Sequence, residues 1–324
     1  MSQTFTSTFN STIVRLISLS LSRAGFAAAS ALAPGWTVRK LAQRFITPPR
    51  IRHTQAERQF LEQGRRTAIA SPMGQLAAWQ FGDPHLPAIV ASHGWGGRGA
   101  QFRAFVPAML DAGYQAWLFD HAGHGLSEGL EAPITDFARG VTAVTRHLGH
   151  QQILIAGFLG HSLGCAGIGI ALRHDLRHLS QARVVQVAPP ASLIRYSRFF
   201  ARAIGLPERL RAAMQWRLEQ KIGVDWQEFD MPHAAASLAS PALVIHDQND
   251  RDVRIESGLE VARAWPGARF KRTFNLGHHR ILRDPAVIAA TVDFLLDRVE
   301  FSPPPHRDEW SLAFASLSGN APLY

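Results

Sequence analysis

The sequence of 324 residues contains a single cysteine, Cys165. One cysteine cannot form a disulfide within the chain, so packing has to stabilise the fold, and nothing indicates an oxidising compartment. The spacings typical of zinc sites, Cys-x-x-Cys and His-Glu-x-x-His, are also absent, although the chain has 15 histidines. We therefore expect no metal and no cofactor, and we interpret Cys165 as a small buried helix residue.

Lysine is scarce as well, because only three of the 34 basic residues are lysines, and the formal net charge is +9. A basic surface can bind nucleic acid, but the sequence has no helix-turn-helix, zinc-finger or RNP-like motif. We therefore expect no nucleic-acid partner. The apolar residues make up 46% of the chain, which is enough to bury a large sheet.

Acidic residues are missing from the first 56 positions, which carry seven basic ones. Arg15 and Arg23 interrupt any window of about 20 apolar residues, the length that a membrane-spanning helix needs. Three interpretations stay open: a targeting segment, an interfacial helix that binds anionic lipid, and a pair of helices packed on the protein. The apolar spacing over residues 36–45 favours the packed pair, broken at residues 33–35. We expect a cytoplasmic protein, with membrane association through residues 1–50 as the alternative.

The most informative pattern is Gly-His-Ser-Leu-Gly at residues 160–164. An apolar, strand-like run at residues 153–159 precedes it, and small residues compatible with a helix follow at 165–172. A strand, a sharp turn and a helix in this order hold a serine up as a nucleophile, and the flanking glycines let the turn close. Ser162 is therefore the candidate nucleophile, and a small turn residue is the alternative.

Two later strand-like segments, residues 241–246 and 269–274, each run into side chains that would activate such a serine. A serine hydroxyl is a poor nucleophile until an imidazole takes its proton, and a buried carboxylate then orients and stabilises the imidazole. The candidates are Asp247, Asp250 and Asp252 for the carboxylate and His278 and His279 for the base.

With these residues the sequence resembles the α/β-hydrolase superfamily, over roughly residues 67–300. The motifs follow the order of that family: His-Gly-Trp-Gly-Gly at 93–97, Asp-His-Ala-Gly-His-Gly-Leu-Ser at 120–127, the serine segment and the two late segments. The resemblance implies an α/β fold with a mostly parallel twisted sheet, helices on both faces and a small helical cap insertion.

The resemblance also implies roles for individual residues. It favours Asp250, because Asp250-Arg251-Asp252-Val253 fits the family's Asp-x-x-Val, and His278, which fits its Gly-His. The backbone N–H groups of Trp95 and Leu163 would form the oxyanion hole. The remaining polar residues of the motifs, His93, Asp120, His124 and His161, are interpreted as structural.

The remaining pattern alternates strands with helices, as a parallel sheet requires. A hairpin at residues 67–81 comes first, and strands are predicted at residues 88–92, 115–120 and 183–188. Between Pro190 and Ser240 the alternation gives way to two predicted helices, residues 193–204 and 208–222. Four aromatic side chains there either line an acyl pocket or hold the helices together: Tyr196, Phe199, Phe200 and Trp216.

The same insertion is basic, with seven basic and two acidic residues between positions 191 and 224. An anionic substrate and a solvated helix face both account for this excess. We divide the chain into a basic helical extension (1–50), a first core part (51–190), a cap (191–240), a second core part (241–300) and a tail (301–324).

The sequence therefore predicts a serine hydrolase that cleaves a small carboxylic ester, or a thioester or lactone, through an acyl-enzyme. Two alternatives stay open on the same fold. One is an acyltransferase or a hydrolase of carbon–carbon bonds with the same triad, and the other is a non-catalytic member used for binding or membrane association.

Overall fold

The computed structural model describes residues 32–297 of the chain. These residues form one eight-stranded sheet with helices on both faces. The strands are β1 Arg65–Ser71, β2 Gly74–Phe81, β3 Ala88–Ser92, β4 Gln115–Phe119, β5 Ile155–His161, β6 Arg183–Val187, β7 Ala242–Asp247 and β8 Arg269–Thr273.

Eleven α-helices occur within this described range. They are α1 Pro34–Ile46, α2 Gln55–Leu61, α3 Val106–Asp111, α4 Ile134–His150, α5 Leu163–His174, α6 Leu193–Ile204, α7 Glu208–Ile222, α8 Met231–Ala235, α9 Ile255–Ala264, α10 Gly277–Arg280 and α11 Pro285–Leu295. Short 3-10 turns lie at Gly99–Phe102, Arg177–Leu179, Trp226–Phe229 and Ile281–Arg283.

The strand order across the sheet is β1-β2-β4-β3-β5-β6-β7-β8. The opening hairpin of β1 and β2 is antiparallel, and β2 pairs antiparallel with β4. Every other pair is parallel. The predicted α/β architecture with a mostly parallel sheet is therefore confirmed.

The apolar sequences of the central strands follow from burial of both sheet faces. In β3, Ala88 and Val90 pack into one core while Ile89 and Ala91 pack into the other, because successive side chains point to opposite faces. The first core lies under α4, α5 and α9, and the second under α3 and α11. A continuously apolar sequence is thus expected for a strand at the centre of this sheet.

Two predicted boundaries around the serine segment were wrong by two residues. Strand β5 spans 155–161 rather than 153–159, because Leu154 is exposed and Gln152 has a left-handed backbone that ends the preceding turn. Helix α5 begins at Leu163 rather than at residue 165. The strand therefore runs directly into the serine turn, with no intervening loop.

Helix α1 confirms the helix predicted over residues 36–45 and packs on α7 of the insertion. Its inward face carries Leu41, Ala42 and Ile46, all buried. The other helix of the predicted pair, the targeting alternative and the tail at 301–324 lie outside the described residues. The five-segment division and membrane association stay predictions, and no helix within 32–297 is long and apolar enough to cross a membrane.

The packing of α1 makes a testable prediction about stability. Leu41→Ala deletes a side chain that is 1% exposed, so we expect the free energy of unfolding to fall by about 2–5 kcal/mol. Lys40→Ala changes an exposed neighbour on the same helix and should alter it by less than about 0.5 kcal/mol. Urea denaturation of the full chain measures both, and equal midpoints would contradict the packing of α1.

Candidate active site

The residues predicted for the site follow four different strands at the same edge of the sheet. Trp95 follows β3, Ser162 follows β5, Asp250 follows β7 and His278 follows β8. These four strands run parallel, so their carboxyl ends meet at one edge, where ligands bind in open α/β sheets. Residues far apart in the sequence are thereby brought together.

Ser162 occupies a sharp turn between β5 and α5. Its backbone angles are φ 52° and ψ −124°, a left-handed conformation that costs a residue other than glycine about 1–3 kcal/mol. Its N–H donates to the carbonyl oxygen of Val187 at 2.9 Å, which ties the turn to β6. A Cβ on Gly164 would overlap the carbonyl oxygens of Ser92 and His93, so only glycine lets α5 begin this close to β3.

His278 and Asp250 form a short hydrogen bond. The Nδ1 of His278 donates to Oδ2 of Asp250 at 2.7 Å, and both residues are buried. A proton held on Nδ1 leaves the lone pair on Nε2, the tautomer that a general base requires. The ring of His161 donates to the backbone carbonyl of His278 at 2.9 Å and holds this segment in place.

The carboxylate of Asp250 is held ionised by several donors. Burial alone would raise its pKa, but the nearby His246 ring, the hydrogen bond from His278 and the backbone N–H of Val253 lower the pKa well below its usual value. Oδ1 accepts the N–H groups of Asp252 and Val253, each at 2.9 Å. His246, whose Nε2 lies 3.6 Å from Oδ2, was not predicted as a site residue, because a histidine inside a buried strand gives no functional signal.

The competing aspartates have other surroundings. Asp247 is the last residue of β7, and its carboxylate accepts the Thr273 hydroxyl at 2.9 Å and the N–H of Leu276 at 3.0 Å. Burial would raise its pKa, but these contacts and the N–H groups of Gly277 and Asn249 lower it. Asp252 lies on the surface 3.8 Å from the exposed ring of His279. Of the three aspartates, Asp250 alone forms a hydrogen bond with the His278 ring among residues 32–297.

The two predicted oxyanion donors lie on either side of Ser162. The N–H groups of Trp95 and Leu163 have no hydrogen-bond acceptor among residues 32–297. A Cβ on Gly94 would lie 2.8 Å from the Cβ of Ser162, so the Trp95 loop passes directly against the serine. The loop is shaped by the N–H of Gly96, which donates to Nε2 of His124 at 3.0 Å.

Three buried histidines, His93, His121 and His124, support this loop. Nε2 of His93 accepts the N–H of His121 at 3.0 Å, and the His121 ring bonds to the Ser92 hydroxyl at 2.8 Å. Burial lowers the pKa of His93 and His121 well below the usual value, and it lowers the pKa of His124 to about 4. Asp120 accepts the N–H groups of Gly99 and Leu126. These contacts support the structural interpretation of His93, Asp120 and His124.

The side chains of Asp250, Asp252 and His278 also offer ligand atoms within 4.8 Å of one another. Three N–H groups, those of Asp252, Val253 and the His278 ring, already donate to the Asp250 carboxylate. A cation bound there would have to displace the His278 hydrogen bond. The arrangement is that of a hydrogen-bonded acid and base rather than of a metal centre.

A cavity of about 120 Å³ opens beside Ser162 and Leu163. Among the described residues lining it, Arg44 alone carries a charge, and the rest, apart from Ser162 and Ser192, are aliphatic or aromatic. Of the two alternatives for the aromatic residues of the insertion, lining of the cavity holds for Tyr196 and Phe200. Phe199 and Trp216 neither line it nor join the core, because each points from its helix into solvent. The largest lining side chains are Phe45, Trp95, Tyr196, Phe200, Trp226 and Phe229.

The sheet order, the serine turn and the late aspartate and histidine together define an α/β-hydrolase. The chain belongs to the family of serine aminopeptidase S33, whose model matches residues 83–291, more than half of its length. It is therefore a hydrolase of this superfamily. No curated protein matches the chain.

Solved structures with the same fold include several hydrolases. An esterase of Pyrococcus furiosus, Pf2001, is 19% identical with a TM-score of 0.60, covering 78% of this chain and 99% of its own. Rv0554 from Mycobacterium tuberculosis is 23% identical with a TM-score of 0.56, covering 72% of this chain and 100% of its own. A thermophilic esterase from Thermogutta terrifontis is 17% identical with a TM-score of 0.53, covering 72% and 99%.

The buried histidines predict how stability depends on pH. The pKa of His124 falls from about 6.5 in the unfolded chain to about 4 in the native protein, so the unfolded state binds more protons below pH 6.5. Stability is therefore lost as the pH falls from about 6.5 towards 4, by up to about 1.4 kcal/mol per pH unit for this residue.

Urea unfolding at neutral and mildly acidic pH tests this loss in the wild type and in His124→Gln. Glutamine keeps an acceptor for the Gly96 N–H but cannot titrate. We expect the variant to lose less stability on acidification than the wild type does. Parallel losses in the two proteins would show that His124 is not held neutral.

Proposed function

We propose that the protein is a serine esterase that cleaves carboxylic esters with an apolar acyl group through an acyl-enzyme. The observation that carries the proposal is the 2.7 Å hydrogen bond between His278 and Asp250, formed at the sheet edge where Ser162 occupies its left-handed turn. A base with its lone pair on Nε2, oriented by an ionised carboxylate, is the arrangement that activates a serine hydroxyl.

The reaction begins when Oγ of Ser162 attacks the carbonyl carbon of the ester. Nε2 of His278 takes the hydroxyl proton, and Asp250 stabilises the resulting imidazolium without itself taking a proton. The carbonyl oxygen becomes an oxyanion that accepts hydrogen bonds from the N–H groups of Trp95 and Leu163. A single donor of this kind is worth about 2.7–4 kcal/mol in comparable enzymes.

The tetrahedral intermediate then collapses and breaks the bond to the alcohol oxygen. His278 returns the proton to that oxygen, the alcohol departs, and the acyl group stays on Ser162 as an ester. Water attacks the acyl-enzyme by the same sequence, with His278 again as base and then acid. The products are the carboxylic acid and the free serine.

The lining of the cavity favours an ester over the peptide substrates to which the family's name refers. A free α-ammonium group has to be paired with an acceptor when it leaves water, and no carboxylate lines the cavity within residues 32–297. An apolar acyl group gains free energy from the same surface, at about 25 cal/mol per Å² buried. The insertion helices α6 and α7 act in this proposal as the cap that excludes water.

A fluorophosphonate probe and p-nitrophenyl esters test the nucleophile. The wild type should be labelled covalently at Ser162, identified by peptide mass spectrometry, and should hydrolyse the esters. Ser162→Ala should do neither, because no hydroxyl remains to attack. Ser180→Ala is the matched control and should keep both properties, because Ser180 is a half-buried residue after the 3-10 turn Arg177–Leu179 and does not line the cavity.

Retention of esterase activity in Ser162→Ala would overturn the mechanism. Hydrolysis in the presence of alcohols or amines of increasing concentration separates the hydrolase from an acyltransferase. A product that is mainly the free acid supports the proposal, whereas a product that is mainly the new ester or amide assigns the same acyl-enzyme to acyl transfer.

Substitution of the three aspartates at the end of β7 and in the following loop should have three different effects. Asp250→Asn should lower kcat about 10⁴-fold, because an amide favours the wrong imidazole tautomer. Asp247→Asn should mainly destabilise the fold, by about 1–3 kcal/mol, since one buried acceptor is lost. Asp252→Asn alters an exposed carboxylate and should leave kcat close to that of the wild type.

Steady-state kinetics and urea unfolding of the three variants measure both effects. A near-normal kcat in Asp250→Asn would move the role of the acid to another residue. A large loss of kcat confined to Asp252→Asn would do the same.

A further inference from the structure

Helix α1 forms part of the cavity wall although it lies outside the family match, which begins at residue 83. The last turn of the helix contributes Arg44, Phe45 and Ile46 to the same cavity that Ser162 lines. The cavity beside the serine is therefore completed by a segment that precedes the hydrolase core in the sequence.

Phe45 lies at the centre of an aromatic cluster in that wall. Its ring stacks on Trp226 with centroids 5.4 Å apart and planes at 21°, and it meets the edge of Phe200 at 5.5 Å. Tyr196 completes the cluster, at 6.1 Å. All four rings line the cavity, and ring pairs at these separations attract one another beyond their burial. The Phe45 ring is thus held in one place and is only partly buried.

Polar contacts fix the last turn of α1 to the core and to helix α7. Nε2 of Gln43 donates to Glu131 at 2.9 Å, and the same carboxylate receives Lys221 of α7 at 2.5 Å. The N–H of Ala132 donates to the carbonyl oxygen of Ile46 at 2.8 Å, and Ala132 also lines the cavity. The last turn of α1 is therefore clamped between the core and the insertion helices, and the backbone that carries Phe45 cannot move aside without breaking these contacts.

We propose that Phe45 is a specificity-determining residue that limits the acyl group to medium length; the proposal rests on the esterase function above. A cavity needs about 10–15 Å³ of such space to hold one water-sized group, so a cavity of about 120 Å³ holds a short run of acyl atoms rather than a long chain. The acyl group packs against the Phe45 ring, which closes the cavity toward α1. A longer chain therefore has to leave the cavity on its open side instead of extending toward α1.

Removal of the ring should lengthen the preferred acyl group. Phe45→Ala joins the volume of the phenyl ring to the cavity, so a longer chain gains buried contacts that the wild type denies it. One methylene in an apolar pocket changes kcat/KM about 10-fold to 200-fold, so we expect the dodecanoate-to-octanoate ratio of kcat/KM to rise at least about tenfold. Phe45→Leu, which preserves more of the packing, should raise the ratio by a smaller factor.

The measurement uses p-nitrophenyl butanoate, octanoate and dodecanoate with the full chain. Trp36→Ala is the matched control, because Trp36 is an aromatic residue of the same helix that is half exposed and does not line the cavity. Its chain-length profile should equal that of the wild type. Calorimetric binding of octanoate and dodecanoate to Ser162→Ala, with and without Phe45→Ala, gives a second readout that requires no turnover.

A higher dodecanoate-to-octanoate ratio in both Phe45 variants and an unchanged ratio in Trp36→Ala support the proposal. An unchanged profile in Phe45→Ala and Phe45→Leu, with hydrolysis still lost in Ser162→Ala, would overturn it and leave the esterase function standing. A wild type that neither hydrolyses esters nor reacts with fluorophosphonate would instead overturn the esterase function. In that case the calorimetric binding measurement tests the role of Phe45. Tighter binding of dodecanoate to the variant with Phe45→Ala supports a role of the ring in limiting acyl length, and affinities for the two acids that do not change with Phe45→Ala overturn it.

Discussion

The left-handed backbone of Ser162 is the constraint on which the rest of the site depends. A serine adopts this conformation only where its surroundings impose it, at a cost of about 1–3 kcal/mol. Here the Val187 carbonyl holds its N–H, and the absence of a side chain at Gly164 lets α5 begin against β3. Because the serine cannot relax, the Trp95 loop, the Asp250 loop and the His278 segment are arranged around a fixed point.

Much of the fold was predictable because a parallel sheet leaves a strong trace in the sequence. Strands buried on both faces read as short apolar runs, and turn residues mark where each run ends. The serine turn, the late aspartate loop and the late histidine each follow such a run, so their meeting at one edge follows from topology. The start of β5 was predicted too early because Leu154 is apolar and yet exposed, so the apolar run begins before the strand does.

Other features depend on contacts that no local pattern encodes. Asp247 and Asp250 are both buried carboxylates, three residues apart at the end of β7. Only their hydrogen-bond donors distinguish them, since Asp247 accepts the N–H of Leu276 and Asp250 accepts the ring N–H of His278. Phe199 and Phe200 are adjacent and chemically identical, yet one faces solvent and the other the cavity. The place of α1 in the cavity wall was beyond sequence reasoning, since it arises from pairing with residues far along the chain.

That long-range pairing of α1 also orders events during synthesis. Domains fold from the N-terminal end as the chain is made, but α1 packs on α7 and stacks on Trp226, which the ribosome delivers much later. The apolar face formed by Leu41, Ala42 and Ile46 is therefore not yet covered by α7 when the first strands leave the ribosome. Helix α1 can therefore complete its packing only after Trp226 has been made, and its apolar face is exposed on the nascent chain until then.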